Sequence, residues 1–312
     1  MANIRFIILS CCNPKGSFSF NDVKNCCISY LIFIFVRKSD SYSYDLNIPA
    51  KYITAIDAAI QASRIILDIY NEGFDVEIKT DGSPVTKADL ASSKCIIDLL
   101  SKTGIPVMDE ESVKEVYEIR KDWKSFWCVD PLDGTKEYVK RNGEFAVNIA
   151  YIEGSTPIFG IIASPTSQDL IFGGNEMGAF YATFEESKNP SSWTKLEAAK
   201  EINDPLVLIS SRSHYSGISL DFVNSLKAKY GEISLLQKGS ALKFFDVALN
   251  RADIYPRFAP TMEWDIAAGH AIVNALGGEV MNANTNKPLI YNKEDLTNPH
   301  FVVRSKSLLN HV

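Results

Sequence analysis

The feature that most restricts how this chain can fold is a run of acidic and turn-forming residues directly after an apolar segment. Residues 126–129 (FWCV) are typical of a buried strand, and residues 130–135 (DPLDGT) follow at once. Proline keeps Asp130 out of a helical backbone, and Gly134 permits a sharp turn. The sequence therefore predicts a tight loop at a strand end, in which both carboxylates of the run and the carbonyl of Leu132 can converge on one point.

The oxygen atoms of this run are hard ligands of the kind that Mg²⁺ prefers in proteins. Thr135 and the residues after it can open a helix, and the free N–H groups at a helix N-terminus bind anions. The run therefore favours a magnesium site beside a phosphate group. The alternative is that Asp130 and Asp133 only cap the turn and the helix, which is the commonest use of Asp at such a place.

Acidic residues also stand at two other predicted junctions between elements, in residues 109–112 (DEES) and at the start of a C-terminal helical segment. The four acids are Glu110, Asp130, Asp133 and Asp265. Gathered in one place, they would repel one another unless divalent ions lay between them, and four negative charges match two Mg²⁺. Two-metal phosphoryl chemistry is the natural use of such a set. Taken singly, each cluster is more typical of a surface charge or a helix cap.

A further polar cluster, residues 81–89 (DGSPVTKAD), leads from a turn into a helix. Thr86 and Asp89 have the spacing of a capping box, in which each side chain bonds the backbone of the other residue. The spacing alone predicts helix capping and gives no further role to Asp89.

Apolar periodicity predicts an α+β arrangement for the first part of the folded region. Five apolar residues at helical spacing predict a helix that ends at Gly73: Ile53, Ile56, Ile60, Leu67 and Tyr70. A second helix is predicted at 88–101. Short buried strands are predicted at 105–108, 125–129, 146–152, 158–163 and 169–173.

The second part has a different pattern, in which short strands alternate with helices. Strands are predicted at 206–209, 233–236 and 252–255, and helices at 220–229, 240–249 and 265–276. The polar residues 184–204 are predicted to connect the two parts. We therefore predict layered helices and sheets, with an N-terminal appendage of uncertain structure at 1–45, an α+β metal-binding half at 46–190 and an α/β substrate-binding half at 191–312.

Charge and composition exclude some classes of partner. The chain has 38 acidic and 32 basic side chains and a formal net charge of −6, so it lacks the overall basic field that would hold nucleic acid. The apolar run 28–36 has about half the length of a membrane-spanning helix. Four of the six cysteines crowd into the first 27 residues without the spacing of a zinc site. We expect a cytoplasmic protein with reduced thiols and no membrane span.

Four of these clusters, taken in chain order, resemble a known superfamily. Residues 81–89, 109–112, 130–135 and 264–271 (WDIAAGHA) are similar to the magnesium-dependent, lithium-sensitive phosphatases that include inositol monophosphatase and fructose-1,6-bisphosphatase. Longer stretches, among them SSRSHYS and KGSALKFFDVA, resemble the 3'(2'),5'-bisphosphate nucleotidases of the CysQ type. The resemblance covers about residues 48–305. Asp109 departs from the family pattern, in which Ser or Gly usually precedes the Glu pair.

The resemblance implies a layered αβαβα fold and two or three Mg²⁺ ions per active site. Carried over residue by residue, it implies that Glu110, Asp130 and the carbonyl of Leu132 hold one ion. It also implies that Asp130, Asp133 and Asp265 hold another, so that Asp130 bridges the two ions.

The resemblance also implies how the phosphate ester is attacked and bound. The nucleophile would be a metal-bound water, activated through the hydroxyl of Thr135, with Asp89 as the acceptor for that hydroxyl. The N–H groups of Gly134 and Thr135 would bind phosphate oxygens. Four further residues match positions that line the nucleotide and its second phosphate in the family: His214, Ser240, Lys243 and Arg257.

The activity implied is a Mg²⁺-dependent, lithium-sensitive phosphatase. It would remove the 3'-phosphate of adenosine 3',5'-bisphosphate to give AMP and phosphate, and 3'-phosphoadenylyl sulfate would be a further substrate. Two alternatives stay open. One is an inositol monophosphate or polyphosphate phosphatase, and the other is a non-catalytic sensor of phosphorylated metabolites.

Overall fold

The structure, a computed structural model, describes residues 48–79, 82, 84–211 and 217–311, with the side chains of 217–219 excepted. The predicted appendage at 1–45 and the predicted substrate residue His214 lie outside the described residues. The division of the folded region near residue 190 stays a prediction. Among the helices that the structure describes, none has the length and apolar character needed to cross a bilayer.

Two helices open the described region. Helix α1 (Ala50–Glu72) buries an apolar face and ends at Gly73, whose φ of 98° and N–H bond to the Ile69 carbonyl confirm the predicted helix end. A short antiparallel hairpin of β1 (Val76–Ile78) and β2 (Pro84–Thr86) follows. Helix α2 (Lys87–Leu100) starts at the predicted capping box of Thr86 and Asp89.

The first sheet has seven strands in the order β3-β4-β5-β6-β7-β8-β9, and only the β3–β4 pair is parallel. Its strands are β3 (Val107–Asp109), β4 (Ser125–Asp133), β5 (Ala146–Glu153), β6 (Thr156–Ser164), β7 (Asp169–Gly174), β8 (Gly178–Thr183) and β9 (Thr194–Lys195). The short helix α3 (Tyr117–Arg120) precedes β4, and α4 (Thr135–Val139) follows it. The five predicted strands are present, and β8 and β9 extend the sheet beyond them.

The second sheet has five strands in the order β11-β10-β12-β14-β13. Its strands are β10 (Leu206–Ser210), β11 (Ile233–Gln237), β12 (Ile254–Arg257), β13 (Glu279–Asn282) and β14 (Phe301–Arg304). The predicted alternation is present, since β10 is parallel to β11 and β12. The accompanying helices are α5 (Gly217–Tyr230), α6 (Leu242–Ala248), α7 (Glu263–Ala275) and α8 (Lys306–Leu309).

Three apolar clusters define the layers. Helices α1 and α2 pack on one face of the seven-stranded sheet, through residues such as Ile56 and Phe159. Helices α6 and α7 lie between the two sheets, through residues such as Phe244 and Ile272. Helices α5 and α8 cover the outer face of the five-stranded sheet. The predicted αβαβα fold is confirmed.

The close packing of α7 on the first sheet depends on a glycine. A Cβ built on Gly160 of β6 would lie 2.2 Å from the backbone oxygen of Ala268 in α7. Only a glycine therefore allows this close approach of helix and sheet. The contact fixes the helix over the sheet and brings its first turn, which carries Asp265, toward the end of β4.

Candidate metal and phosphate site

Three carboxylates from distant parts of the chain meet in one place. Glu110 follows β3, Asp130 lies in β4, and Asp265 lies in the first turn of α7. One ligand atom from each lies within 4.8 Å of those of the other two. We call these three residues the acidic cluster. In the sequence these three residues lie at separate junctions between elements, and the fold brings them together.

Asp133 is the last residue of β4, and its two carboxylate oxygens have different surroundings. Its Oδ2 accepts hydrogen bonds from the Ser240 hydroxyl at 2.8 Å, the Asn148 amide at 3.3 Å and the backbone N–H of Ala241. No described residue donates to its Oδ1. Asp133 therefore connects β4 to the loop before α6 while one oxygen stays available to a cation.

The acidic cluster is electrostatically unbalanced on its own. Burial raises the pKa of Asp130 well above its ordinary value, and the charges of Glu110, Asp133 and Asp265 raise it further. Burial and the charge of Asp133 raise the pKa of Asp265 in the same way. Burial also raises the pKa of Glu110, against the opposing charge of Lys79. Buried like charges with oxygen ligands fit a hard divalent cation, which would relieve the repulsion.

The sequence predicted a loop from Asp130 onward, but β4 continues to Asp133 with a register shift against β5 between Asp130 and Asp133, and the turn comes at Gly134. Gly134 has a φ of 92°, and a Cβ on it would lie 3.0 Å from the Glu144 carbonyl oxygen. The Asp130 carboxylate accepts from the Leu132 N–H at 3.0 Å, which holds the turn closed. Thr135 then begins α4, two residues after Asp133.

Asp89 joins the hydroxyl of Thr135 to the cap of α2. Its Oδ1 accepts from the Thr135 hydroxyl at 2.9 Å, and its Oδ2 accepts from the N–H and the hydroxyl of Thr86, both at 2.7 Å. Burial raises the pKa of Asp89, and the bonds from Thr86 and Thr135 oppose that shift. One carboxylate thus serves as helix cap and as acceptor for Thr135.

Two of the predicted substrate residues lie in the loop that Asp133 holds and the helix after it. Ser240 has a φ of 56°, an uncommon conformation for a residue with a side chain. Lys243 is 4% exposed, and its ammonium donates to the carbonyl oxygens of Ser240 and Lys238. Burial lowers the pKa of Lys243 to about 8. A buried cation therefore stands next to the acidic strand end.

Arg257 is the last residue of β12, and its charge contributes to lowering the pKa of Lys243. Its Nη1 donates to the Ser211 hydroxyl at 2.9 Å, and its Nη2 donates to the Pro260 carbonyl at 3.4 Å. Its Nε is buried and has no hydrogen-bond partner among the described residues. A guanidinium with a spare buried donor is suited to binding an anion.

Several residues around Glu110 were not predicted from the sequence. The Lys79 ammonium lies 3.2 Å from the Glu110 carboxylate and 2.5 Å from that of Glu111. Asp109 is fully buried, and its Oδ2 accepts from the Ser93 hydroxyl at 2.8 Å and from the Glu111 N–H at 3.0 Å. The departure from the family pattern at position 109 thus supplies a carboxylate that holds the Glu110–Glu111 turn against α2.

The comparison with protein families decides where this site belongs. Residues 50–311 match the model of the inositol monophosphatase family. The chain belongs to this family. Its members are metal-dependent phosphatases, and the acidic cluster of this chain agrees with that property.

Within the family, the chain is similar to nucleotidases named CysQ. The 3'(2'),5'-bisphosphate nucleotidase CysQ of Shigella flexneri is 40% identical over 252 residues, which cover 78% of this chain and 96% of that protein. The protein of the same name from Haemophilus influenzae is 30% identical over 249 residues, covering 78% and 89%. The crystal structure of CysQ from Bacteroides thetaiotaomicron has 40% identity and a TM-score of 0.73, and it covers 84% of this chain and 99% of that one.

Proposed function

We propose that this chain is a Mg²⁺-dependent 3'(2'),5'-bisphosphate nucleotidase. It removes the 3'-phosphate of adenosine 3',5'-bisphosphate and releases AMP and inorganic phosphate, and 3'-phosphoadenylyl sulfate is a second substrate of the same kind. The observation that carries the proposal is the convergence of Glu110, Asp130 and Asp265 within 4.8 Å of one another. The 40% identity with CysQ nucleotidases supports the substrate class.

We assign two Mg²⁺ ions to this site, or three, as the resemblance to the family implies. Glu110, Asp130 and the Leu132 carbonyl would hold one ion, and Asp130, Asp133 and Asp265 the other. Bound Mg²⁺ supplies Lewis acidity, which lowers the pKa of water and neutralises the phosphate. The neighbours of Asp133 in the Ser240 loop donate to its Oδ2, and no described residue donates to its Oδ1, which we therefore assign to the ion.

The attacking water passes its proton through the Thr135 hydroxyl to the Asp89 carboxylate. The Thr135 hydroxyl donates its one hydrogen to the Asp89 Oδ1 at 2.9 Å, so its oxygen keeps lone pairs that can accept a hydrogen bond from a water. The bonds from Thr86 hold the Asp89 carboxylate in place during this step. Geometry of this kind orients the water for attack in line with the leaving oxygen.

The second phosphate of the substrate is the feature that distinguishes a bisphosphate nucleotide from a monophosphate. Lys243 and Arg257 offer two cationic groups for it, and Ser240 and His214 complete the proposed subsite. The spare buried donor of Arg257 supports this assignment. The N–H groups of Gly134 and Thr135 are proposed to bind the phosphate that is transferred.

We also infer that the protein works in the cytoplasm on a small nucleotide, without nucleic acid as a partner. The two described cysteines, Cys95 and Cys128, are free thiols, which supports a reducing compartment. The net charge of −6 supports the absence of nucleic acid binding.

A phosphate-release assay with a panel of substrates tests the function. With Mg²⁺ present, we expect kcat/KM for adenosine 3',5'-bisphosphate to exceed that for inositol 1,4-bisphosphate and inositol 1-phosphate by roughly tenfold or more. Lithium at millimolar concentration should inhibit the release. A preference for the inositol phosphates would contradict the substrate class, and no release from any of them would favour a non-catalytic sensor.

A further inference from the structure

Lys114 lies between the two chain segments that carry Glu110 and Asp265. Its ammonium donates to the backbone carbonyl oxygen of Glu110. The same ammonium lies 4.8 Å from the ring centre of Trp264, the residue directly before Asp265. One side chain therefore contacts the backbone of one cluster residue and the sequence neighbour of another.

The segment that carries Lys114 is held by few apolar contacts. Val113 is 98% exposed and Val116 is 59% exposed, so burial of these side chains does not dock the segment. Farther along the chain, the buried Arg120 donates to the Asn292 side chain at 2.9 Å and to the Glu294 carbonyl at 2.8 Å. Polar contacts of Lys114 and Arg120 therefore help to hold this segment.

The Glu110 N–H donates to a backbone carbonyl of β4 at 3.1 Å, and Lys79 pairs with the Glu110 carboxylate. Two further contacts restrain the Glu110 turn from either side. On one side, Asp109 holds it to Ser93 of α2. On the other side, Lys114 holds its backbone toward α7. An ammonium can donate to a carbonyl and also face an aromatic ring, and partly desolvated contacts of both kinds are favourable.

We propose that Lys114 is a positioning residue of the metal site, which holds the Glu110 carboxylate close to Asp265 by bridging the Glu110 backbone to the Trp264 ring. The inference rests on the metal site of the proposed function. Without a bridge, the repulsion between Glu110 and Asp265 would favour their separation, and the metal would have to bring them together again at a cost in affinity.

The positive charge of Lys114 has an opposing effect, because a cation near the site repels a metal ion. The two effects predict opposite outcomes when the charge is removed. If positioning dominates, the metal binds more weakly, and if repulsion dominates, it binds more tightly. A direct measurement of metal binding therefore separates them.

The test measures binding of Mn²⁺ alone to the full chain by electron paramagnetic resonance of free Mn²⁺, with no substrate present. Mn²⁺ takes the same oxygen ligands as Mg²⁺. Lys114→Met removes the donor and the charge and keeps the length of the side chain. Lys114→Arg keeps all three features. Lys121→Met is the matched control, since Lys121 lies in the same segment and pairs with Glu118 on the surface.

We expect Lys114→Met to weaken Mn²⁺ binding roughly tenfold, and Lys114→Arg and Lys121→Met to stay within about twofold of the wild type. A residue with a merely structural role would lower the melting temperature and leave the dissociation constant unchanged. Equal or tighter binding by Lys114→Met would overturn the inference alone. A wild type that binds no Mn²⁺ would overturn the proposed metal site as well. If Lys114→Met does not fold, Lys114→Gln serves in its place, because its side chain is one atom shorter and carries no charge to face the Trp264 ring. Lys114→Gln must bind Mn²⁺ more weakly than Lys114→Arg, and equal or tighter binding would overturn the inference.

Discussion

The Lys243 ammonium is buried beside the acidic strand end, and its protonation sets a pH dependence. Burial lowers its pKa to about 8, so the charge is present below that pH and is lost as the pH rises through it. We expect the ratio of kcat/KM for adenosine 3',5'-bisphosphate to that for adenosine 3'-monophosphate to fall between about pH 7 and about pH 9. Steady-state phosphate release on both substrates measures the ratio.

The control for this prediction is Lys243→Met, which keeps most of the buried volume and removes the charge. Its ratio should be roughly 10- to 100-fold below that of the wild type near neutral pH, because a hydrogen bond to a charged group contributes about 1.5–3 kcal/mol. The ratio should also no longer depend on pH. A wild-type ratio that stays constant across the range would rule out Lys243 as a ligand of the second phosphate.

The Asp130 carboxylate destabilises the metal-free protein and is also needed for the proposed metal site. Asp130→Asn keeps the shape of the side chain and removes one of the mutually repelling charges. We expect the metal-free variant to melt at a higher temperature than the metal-free wild type, since burial and three neighbouring acids raise the pKa of Asp130. We also expect kcat to fall roughly a thousandfold, since Lewis acid stabilisation is worth several kcal/mol.

Calorimetry and phosphate release check the two halves of this prediction. Asp169→Asn is the control, because Asp169 is another acid whose pKa is raised by burial and it bonds Ser167 and Tyr181 instead of the cluster. It should keep its kcat. Retained activity in Asp130→Asn would show that Asp130 is not a ligand of the catalytic metal.

Asp89 and Asp130 differ in how far the sequence predicts their surroundings. The irregular strand end after Asp130 and the turn at Gly134 follow from Pro131 and Gly134 themselves, which act within a few residues of Asp130. The bond from Thr135 to Asp89 joins residues 46 positions apart, and no spacing rule reports it. The sequence therefore predicted the cap, and only the resemblance suggested the second bond. Lys79 and Lys114 gave no local signal either, because the fold supplies their partners.

At the scale of elements, the turn between β4 and α4 depends on a glycine. Gly134→Ala would place a side chain at a φ of 92° and 3.0 Å from the Glu144 carbonyl oxygen. Gly154→Ala is the matched control, since Gly154 has a φ of 58° and its Cβ would meet nothing within 4 Å. The difference between the two isolates the crowding at the site.

We expect both variants to lose about 1 kcal/mol or more of unfolding free energy from the left-handed backbone. Gly134→Ala should lose about 1–3 kcal/mol beyond that because of overpacking, and its kcat should fall. Gly154→Ala should keep its kcat. Urea unfolding and phosphate release measure these effects, and equal losses in the two variants would show that the turn has room for a side chain.

The elements were predictable where the apolar pattern is strong. Strands β4 to β7 carry long buried runs, and the structure confirms them near the predicted bounds. Strand β8 was missed because its six residues begin at a glycine and alternate only partly between buried and half-buried positions. Strand β9 has two residues within a polar stretch that was interpreted as a connection. Pairing with a neighbour, more than local composition, makes such edge segments into strands.

At the scale of the whole molecule, the fold holds together three acids that repel one another. The raised pKa values of Glu110, Asp130 and Asp265 mean that the metal-free protein loses stability as the pH rises through them. Mg²⁺ binding must displace protons from these groups at low pH. We therefore expect Mg²⁺ to raise the melting temperature more at about pH 8 than at about pH 5.

Differential scanning calorimetry with Mg²⁺ and with a chelator at both pH values gives this result directly. The Asp130→Asn variant should show a smaller Mg²⁺ effect at each pH. An effect of Mg²⁺ that is equal at both pH values would mean that the ion binds away from the titrating acids.

The central claim is that acids distant in the sequence form one divalent metal site. Anomalous diffraction from crystals grown with Mn²⁺ tests it most directly. The account predicts an anomalous peak among the carboxylates of Glu110, Asp130 and Asp265. Peaks only elsewhere on the protein, or none at a Mn²⁺ concentration that supports phosphate release, would contradict it.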